Sequence, residues 1–336
     1  MKKRGVGMAY VLHPTGNKGG GDPSHAAIQL KPDGTYVLSI GAMELGQGAP
    51  TILRQVAADA LGVPIEKILV TNYADMMPLS VSTSGSRVTL IDPHAVVNAA
   101  EDLKRRIREF VASAQGVKAE DVVVDGEVAY ARSNPERTRM TMAQIGHGAA
   151  WGGAYDPMLL IGTGSWQPGR AVAHDPETGA MDNVGGISYG AALAEVEVDT
   201  ETGVVDVIKF AQVWEVGKAI NPLMVRAQIN GGFCIGAGFA LQEAVYPYYP
   251  SADMGPTRMG DYFMPTFQDY PQEMLYGIEE VPNPKGVEGS KGFAEGTATG
   301  PVPAIASAIH DAIGVWITDF PITPEVVLRA LQAKDR

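Results

Sequence analysis

The chain has 336 residues, 45% hydrophobic and 19% charged, which excludes a disordered protein and allows one large or two modest domains. Its 38 Asp and Glu against 26 Lys and Arg leave a net charge of −12, which argues against nucleic acid or an anionic membrane as partner. The single Cys234 excludes an internal disulfide and an iron–sulfur cluster held by this chain alone, and the absence of a signal-peptide or membrane-length apolar run places the protein in the cytoplasm by expectation.

Tyr10-Val11-Leu12-His13-Pro14 is expected as an edge strand leading into a Gly-rich loop. Residues 26–41 alternate on both sides of Asp33-Gly34 and predict a hairpin. Pro50 opens a helix whose Ile52, Leu53, Val56, Ala57, Ala60 and Leu61 fall at helical spacing, closed by Gly62. A strand follows at 67–73, then a helix over 88–114 and a small appendage at 119–143 turning at Asp125-Gly126. Residues 145–190 have no clear period and read as a wrapping connection or a partner-facing arm. The opening pattern then returns as a hairpin over 189–214, a helix over 221–242, an irregular stretch to Ala298, and a last helix from Pro303 to Gly314. The expected fold is α+β, with two similar hairpin-helix halves at residues 1–170 and 171–336.

No residue pattern announces catalysis by itself. The chain has no Gly-x-Ser-x-Gly elbow, no phosphate-binding Gly-x-x-x-x-Gly-Lys-Ser/Thr loop and no His-Glu-x-x-His, and its six histidines are not at metal-ligand spacing. Three Gly-flanked polar loops do lie beside helix starts. Gly46-Gln47-Gly48 suits an anionic oxygen at the positive end of a helix, and a plain turn suits it equally. Ser82-Thr83-Ser84-Gly85-Ser86-Arg87 offers hydroxyls and a cation for a phosphate, or merely caps the next helix. Residues 286–296, GVEGSKGFAEG, put Glu288, Lys291 and Glu295 in a loop where a carboxylate held in a dry site becomes a general base, and one left in water stays a surface Glu.

Taken in order, these loops resemble the molybdenum-cofactor-binding subunits of the xanthine dehydrogenase and aldehyde oxidase family. The residues that carry the resemblance are Met43-Glu44-Leu45-Gly46-Gln47-Gly48, Ser84-Gly85-Ser86-Arg87, Ile220-Asn221-Pro222 with Gln228-Ile229-Asn230-Gly231-Gly232, Asp261 to Thr266, Gly289 to Glu295, and Phe320 to Glu325. Only the second half of the family's molybdenum subunit is matched, and Met1-Lys2-Lys3-Arg4 reads as a true start. The chain is thereby similar to the medium molybdopterin subunit of nicotinate dehydrogenase. It departs from the family at Ile235, Glu215, Ala294 and Gly296-Thr297-Ala298, where Gln, Asp, Gly and a Pro pair are common.

The resemblance implies hydroxylation of an N-heteroaromatic substrate, nicotinate- or purine-like, with oxygen from water. An aldehyde- or hydroxybenzoyl-thioester-directed relative and a non-catalytic cofactor carrier are the alternatives. It also implies the cofactor, molybdenum-molybdopterin in its cytosine dinucleotide form, with the metal held by the pterin dithiolene rather than by side chains. Glu295 becomes the catalytic base. Leu45, Gly46, Gln47, Gly48, Ser84, Gly85, Ser86, Arg87, Val88, Lys291 and Ala294 become cofactor contacts, and His13 and Phe293 substrate contacts. The implied partners are a second molybdenum subunit, an iron–sulfur subunit and a flavin (FAD) subunit.

Overall fold

The computed structural model describes residues 1–16, 22–71, 80, 82–169, 175–179, 185–244 and 259–334. In chain order the strands are β1 (Lys2–Pro14), β2 (Ser24–Leu30), β3 (Tyr36–Ile40), β4 (Ile68–Thr71), β5 (Val122–Asp125), β6 (Val128–Ala131), β7 (Met140–Thr141), β8 (Ile161–Trp166), β9 (Ile187–Asp199), β10 (Val205–Glu215) and β11 (Glu273–Glu279). The helices are α1 (Ala49–Leu61), α2 (Val88–Gln115), α3 (Pro135–Thr138), α4 (Met142–Trp151), α5 (Pro222–Leu241), α6 (Gly296–Thr299), α7 (Pro301–Ile313) and α8 (Pro324–Lys334). Among the described residues no helix is long and apolar enough to cross a membrane.

The chain forms two compact units, and neither is a continuous stretch of sequence. The first comprises Met1–Pro14, Ile187–Val281 and Phe293–Arg336; the second comprises Thr15–Gly186 and Pro282–Gly292. A single boundary near residue 170 therefore does not describe the division. The reason is strand pairing: β1 lies antiparallel to β9 along its whole length, from Lys2 opposite Asp199 to Pro14 opposite Ile187.

The first unit is built on a sheet in the order β1-β9-β10-β11, with β9 and β10 a hairpin and β11 parallel to β10. Ala192, Ala194, Val196 and Val198 of β9 point inward at every second residue and pack with Phe210, Phe233, Ile305 and Ile309. The second unit has the order β8-β2-β3-β4, again a hairpin flanked by an antiparallel edge strand and a parallel one. The expected repetition of hairpin and helix thus extends to the whole sheet order. A second small sheet, β5-β6-β7, is the expected appendage.

Both edge strands use the same packing device. Gly5 and Gly7 of β1 lie under α7, where a Cβ on either would stand 2.2 Å from the Ala308 backbone. Gly162 and Gly164 of β8 lie likewise under α2, where Cβ atoms would stand 2.1 and 2.0 Å from the Ala99 and Ala95 carbonyl oxygens. Glycine on the strand and alanine at every fourth helix position let backbone approach backbone. This also corrects the reading of 145–190 as an arm without pattern. α4 and β8 occupy part of it, and β8 shows no apolar alternation because its inward residues are glycines. Asn72 and Tyr73 of the expected strand, and residues 17–21 of the loop after β1, lie outside the described residues.

α2 is tied to β8 by one carboxylate. Asp102 accepts from the Thr163 N–H at 3.0 Å, from Arg106 at 3.1 Å and from Arg105 at 2.6 Å. Partial burial works to raise its pKa, but the Thr163 amide and the two guanidinium groups outweigh it and bring it from 3.8 to about 2. A carboxyl depressed in this way stabilises the fold above its unfolded pKa and loses that contribution as pH falls through the folded value. Asp102→Asn is therefore expected to lower the melting temperature at pH 7, and the gap to wild type should close between 3.8 and about 2. An unchanged gap across an acid series would show that Asp102 does not act through its charge.

Candidate active site

Glu295 belongs to the first unit, at the start of the single-turn helix α6. The turn that carries it is closed by Gly296 N–H to Phe293 O at 2.9 Å, Thr297 N–H to Ala294 O at 3.1 Å and Ala298 N–H to Glu295 O at 3.2 Å. Thr297 is 1% exposed, and the single hydrogen of its hydroxyl is shared between Ala294 O at 2.5 Å and Gln228 O at 3.1 Å. The Gly-Thr-Ala departure from a Pro pair thus puts a hydroxyl where it staples the turn to α5. Gly232 of α5 must be glycine for this, since a Cβ there would stand 1.9 Å from Thr297 Oγ1.

The Glu295 carboxylate is not enclosed within this chain: its side chain is 55% exposed. His13, near the end of β1 and 15% exposed, places Nε2 3.7 Å from Glu295 Oε2. The sequence expectations for these two residues thus converge on one place. Phe293 does not join them at the surface; it is 8% exposed and packs with Trp214, Val216, Ala219, Val225 and Ile229. Its position is that of a core residue beneath the turn. Ala294 is half-buried.

The second unit gathers the expected cofactor loops. Thr83 Oγ1 accepts from Met43 N–H at 2.9 Å and donates to Met43 O at 3.0 Å, fastening the 43–48 loop to the 82–87 loop. Ser290 Oγ donates to Thr89 O at 3.1 Å, and a Cβ on Gly292 would stand 1.7 Å from Ser86 O, so the stretch bearing Lys291 lies directly against the Ser84–Val88 loop. That loop turns through Gly85 and Ser86 at φ of 58° and 51°, and α2 presents the N–H groups of its first turn beside it.

Three expected contacts fare differently from their neighbours. Arg87 is fully buried, and its guanidinium pairs with Asp22, with Asp92 at 3.3 Å and with Pro23 O at 2.9 Å. It holds the loop from inside rather than offering a surface cation. Val88 is buried as well, so only its backbone remains for a ligand. Gln47 is bonded within its own loop, donating to Met43 O at 2.8 Å and accepting from Leu45 N–H at 2.5 Å.

Sequence reasoning missed Glu44. Its Oε1 accepts from both Gly46 N–H at 2.7 Å and Gly48 N–H at 2.9 Å. Those paired amides mark the loop as an anion nest, and alternating glycines with φ of 105° and 89° are the signal that locates it.

Residues 1–271 match the family model described as the molybdopterin cofactor-binding domain. The chain belongs to this family. The chain is 28% identical over 333 residues to "Probable hypoxanthine oxidase XdhD" of Escherichia coli K12, covering 98% of this chain and 32% of that protein. Similarity to the nicotine 6-hydroxylase large subunit of Paenarthrobacter nicotinovorans is again 28%, over 346 residues, covering 98% of this chain and 40% of that one. Among solved structures, quinoline 2-oxidoreductase from Pseudomonas putida 86 superposes with a TM-score of 0.80 at 26% identity, covering 98% of this chain and 42% of that chain. The chain therefore spans less than half the length of these relatives.

The second unit's loops fit a molybdopterin. The Gly46 and Gly48 amides converge on one anionic oxygen, that of Glu44, whose place a cofactor oxygen would have to take, and a Cβ on Gly46 would meet nothing within 4 Å, so there is open space at that glycine. Backbone N–H groups, the Ser84 and Ser86 hydroxyls and a helix start are the donors that a pterin and its phosphates require.

Proposed function

We propose that this chain is the molybdopterin-binding subunit of a multi-subunit, cytoplasmic molybdenum hydroxylase. Its substrate is an N-heteroaromatic compound, nicotinate- or purine-like, and the oxygen added comes from water. The observation that carries the reading is a Glu whose backbone is locked by four hydrogen bonds in and around one turn, with His13 3.7 Å away. Its carboxylate, 55% exposed in this chain, gains the dry surroundings of a base when a partner subunit and the cofactor cover it. Relatives named for hypoxanthine, nicotine and quinoline support the substrate class.

When bound, the molybdenum cofactor, in its cytosine dinucleotide form, supplies Lewis acidity and takes up the electron pair. The backbones of Leu45 to Gly48 and Ser84 to Val88 would hold its pterin and phosphates, with Lys291 and Ala294 completing the contacts. Glu295 would accept at its carboxylate the proton released by the water-derived oxygen as the new carbon–oxygen bond forms, and the stapled turn fixes the backbone from which that side chain extends. His13 contacts the substrate, donating to a ring nitrogen or carboxylate. The test is turnover of the purified complex with hypoxanthine, nicotinate and quinoline in 18O-labelled water. Label in a hydroxylated heterocycle is the expected result; oxidation of aldehydes alone would overturn the substrate class.

The partner reading rests on one face of the first unit's sheet. Val6, Met8, Tyr10 and Leu12 are successive outward positions of β1 and all are exposed, Tyr10 by 79%. They continue across the sheet into Tyr189 opposite Leu12 and Leu193 opposite Met8. An antiparallel sheet facing water carries polar residues there, so an apolar stripe this long marks a covered surface. We assign it to a separate second molybdenum subunit, with iron–sulfur and flavin subunits completing the electron path. The 336-residue chain expressed alone should self-associate in light scattering and become monodisperse when co-expressed with that subunit. A monodisperse lone monomer with a cooperative melt would contradict the assignment.

A further inference from the structure

Below the Glu295 turn lies a buried polar chain that none of the functional loops accounts for. Gln212 on β10 is 1% exposed and donates Nε2 to the Thr297 carbonyl at 2.9 Å. Its Oε1 accepts from the Trp214 indole N–H at 2.6 Å. Trp214, also 1% exposed, sits two residues further along the same strand face, so its indole N–H reaches back to the Gln212 amide. The Trp214 ring fills the space left by two glycines: a Cβ on Gly190 would stand 2.6 Å from it and one on Gly296 would stand 2.5 Å from it.

A glutamine side chain presents either its N–H or its oxygen, depending on how the amide is turned. Trp214 can only donate, so it fixes the oxygen toward itself and the N–H₂ toward Thr297 O. The carbonyl at the first turn of α6 is thereby tied to the rigid sheet, and Gly296, the residue after Glu295, rests on the indole that sets the tie. A polar side chain buried this deeply is costly unless every bond is made, and its place here spends that cost on a single backbone turn.

We infer that Gln212 is a positioning residue for Glu295, with Trp214 fixing the direction of its amide. The inference rests on the reading of Glu295 as the base. Gln212 touches neither substrate nor cofactor; it acts by holding the turn, and through it the carboxylate, in register with His13. Gln212→Leu keeps the size and removes both bonds. Trp214→Phe keeps most of the ring between the two glycines and frees the amide to turn.

The test uses the assembled complex, with hypoxanthine, nicotinate or quinoline as substrate, and compares kcat and KM with hydrogen–deuterium exchange of the 293–299 peptide. A misplacement of about 1 Å can cost about 10²-fold, so a loosened turn that shifts the base by part of that should cost about tenfold in kcat. Gln212→Leu should therefore lower kcat by about tenfold, with KM and bound molybdenum within about twofold, and should speed amide exchange in 293–299 but not in β9. Trp214→Phe should do the same more weakly. Normal kcat in Gln212→Leu beside an inactive Glu295→Gln complex would overturn the positioning role alone. A rise in KM at unchanged kcat, or exchange accelerated across the whole first unit, would make Gln212 a plain core residue. Full turnover in Glu295→Gln would overturn the base, and the positioning role with it.

Discussion

Glu295→Gln is expected to lower turnover of the complex by at least ~10²-fold, the usual contribution of a general base, with bound molybdenum and KM near wild type. Glutamine keeps the length of the side chain and one acceptor oxygen, and removes the negative charge and the capacity to take a proton. The loops proposed to hold the cofactor lie in the second unit and are untouched, whereas Glu295 belongs to the first. The control is built into the sequence. Glu288, seven residues earlier, belongs to the second unit and is exposed at a φ of 54°, so Glu288→Gln should be near neutral. Loss of molybdenum in Glu295→Gln would make Glu295 a structural residue.

The largest effect on stability is expected at Arg87. Arg87→Met would leave the carboxylates of Asp22 and Asp92, each 3% exposed, without their cation. Removing one partner of a buried ionic cluster costs about 3–5 kcal/mol, because the remaining charge stays desolvated. Burial already pushes the Asp92 carboxyl above its ordinary range, and the Arg87 guanidinium works against that. Without Arg87 the carboxyl is driven further up. The penalty is then fully present at neutral pH and shrinks as pH falls and Asp92 takes up a proton. Urea titrations of the two forms from pH 7 downward measure this. A penalty under about 1 kcal/mol, or one that grows toward acid, would show that the cluster does not carry the Ser84–Val88 loop.

What the sequence revealed and what it concealed follow from where the signals come from. Strong alternation made the β2–β3 and β9–β10 hairpins plain, and Pro50 with Gly62, at φ 71°, bounded α1 closely. The edge strand β8 was hidden because glycines occupy its inward positions, and a glycine has no hydropathy to alternate. The discontinuous units were hidden because the pairing of β1 with β9 joins residues nearly two hundred apart, which no local pattern records. At the site, Glu295 was proposed from the ordered loops and His13 from the opening strand, and their 3.7 Å approach was not foreseen. Arg87 was misplaced in role because a cation beside Ser and Gly reads as a phosphate ligand, whereas Asp22 and Asp92 claim it. Gln212 and Trp214 carried no signal at all, being apolar-face positions of an ordinary strand until their partners are seen.

The most direct test of the account is the molybdenum and pterin content of the complex purified through this chain, measured by elemental analysis and by the fluorescence of the oxidised pterin. The account predicts molybdenum and pterin equimolar with the chain, and the loss of both when Gly46 and Gly48 are replaced together by Ala, whose Cβ atoms disfavour the φ of 105° and 89° that shape the nest. An assembled complex that contains this chain and holds neither molybdenum nor pterin would contradict it.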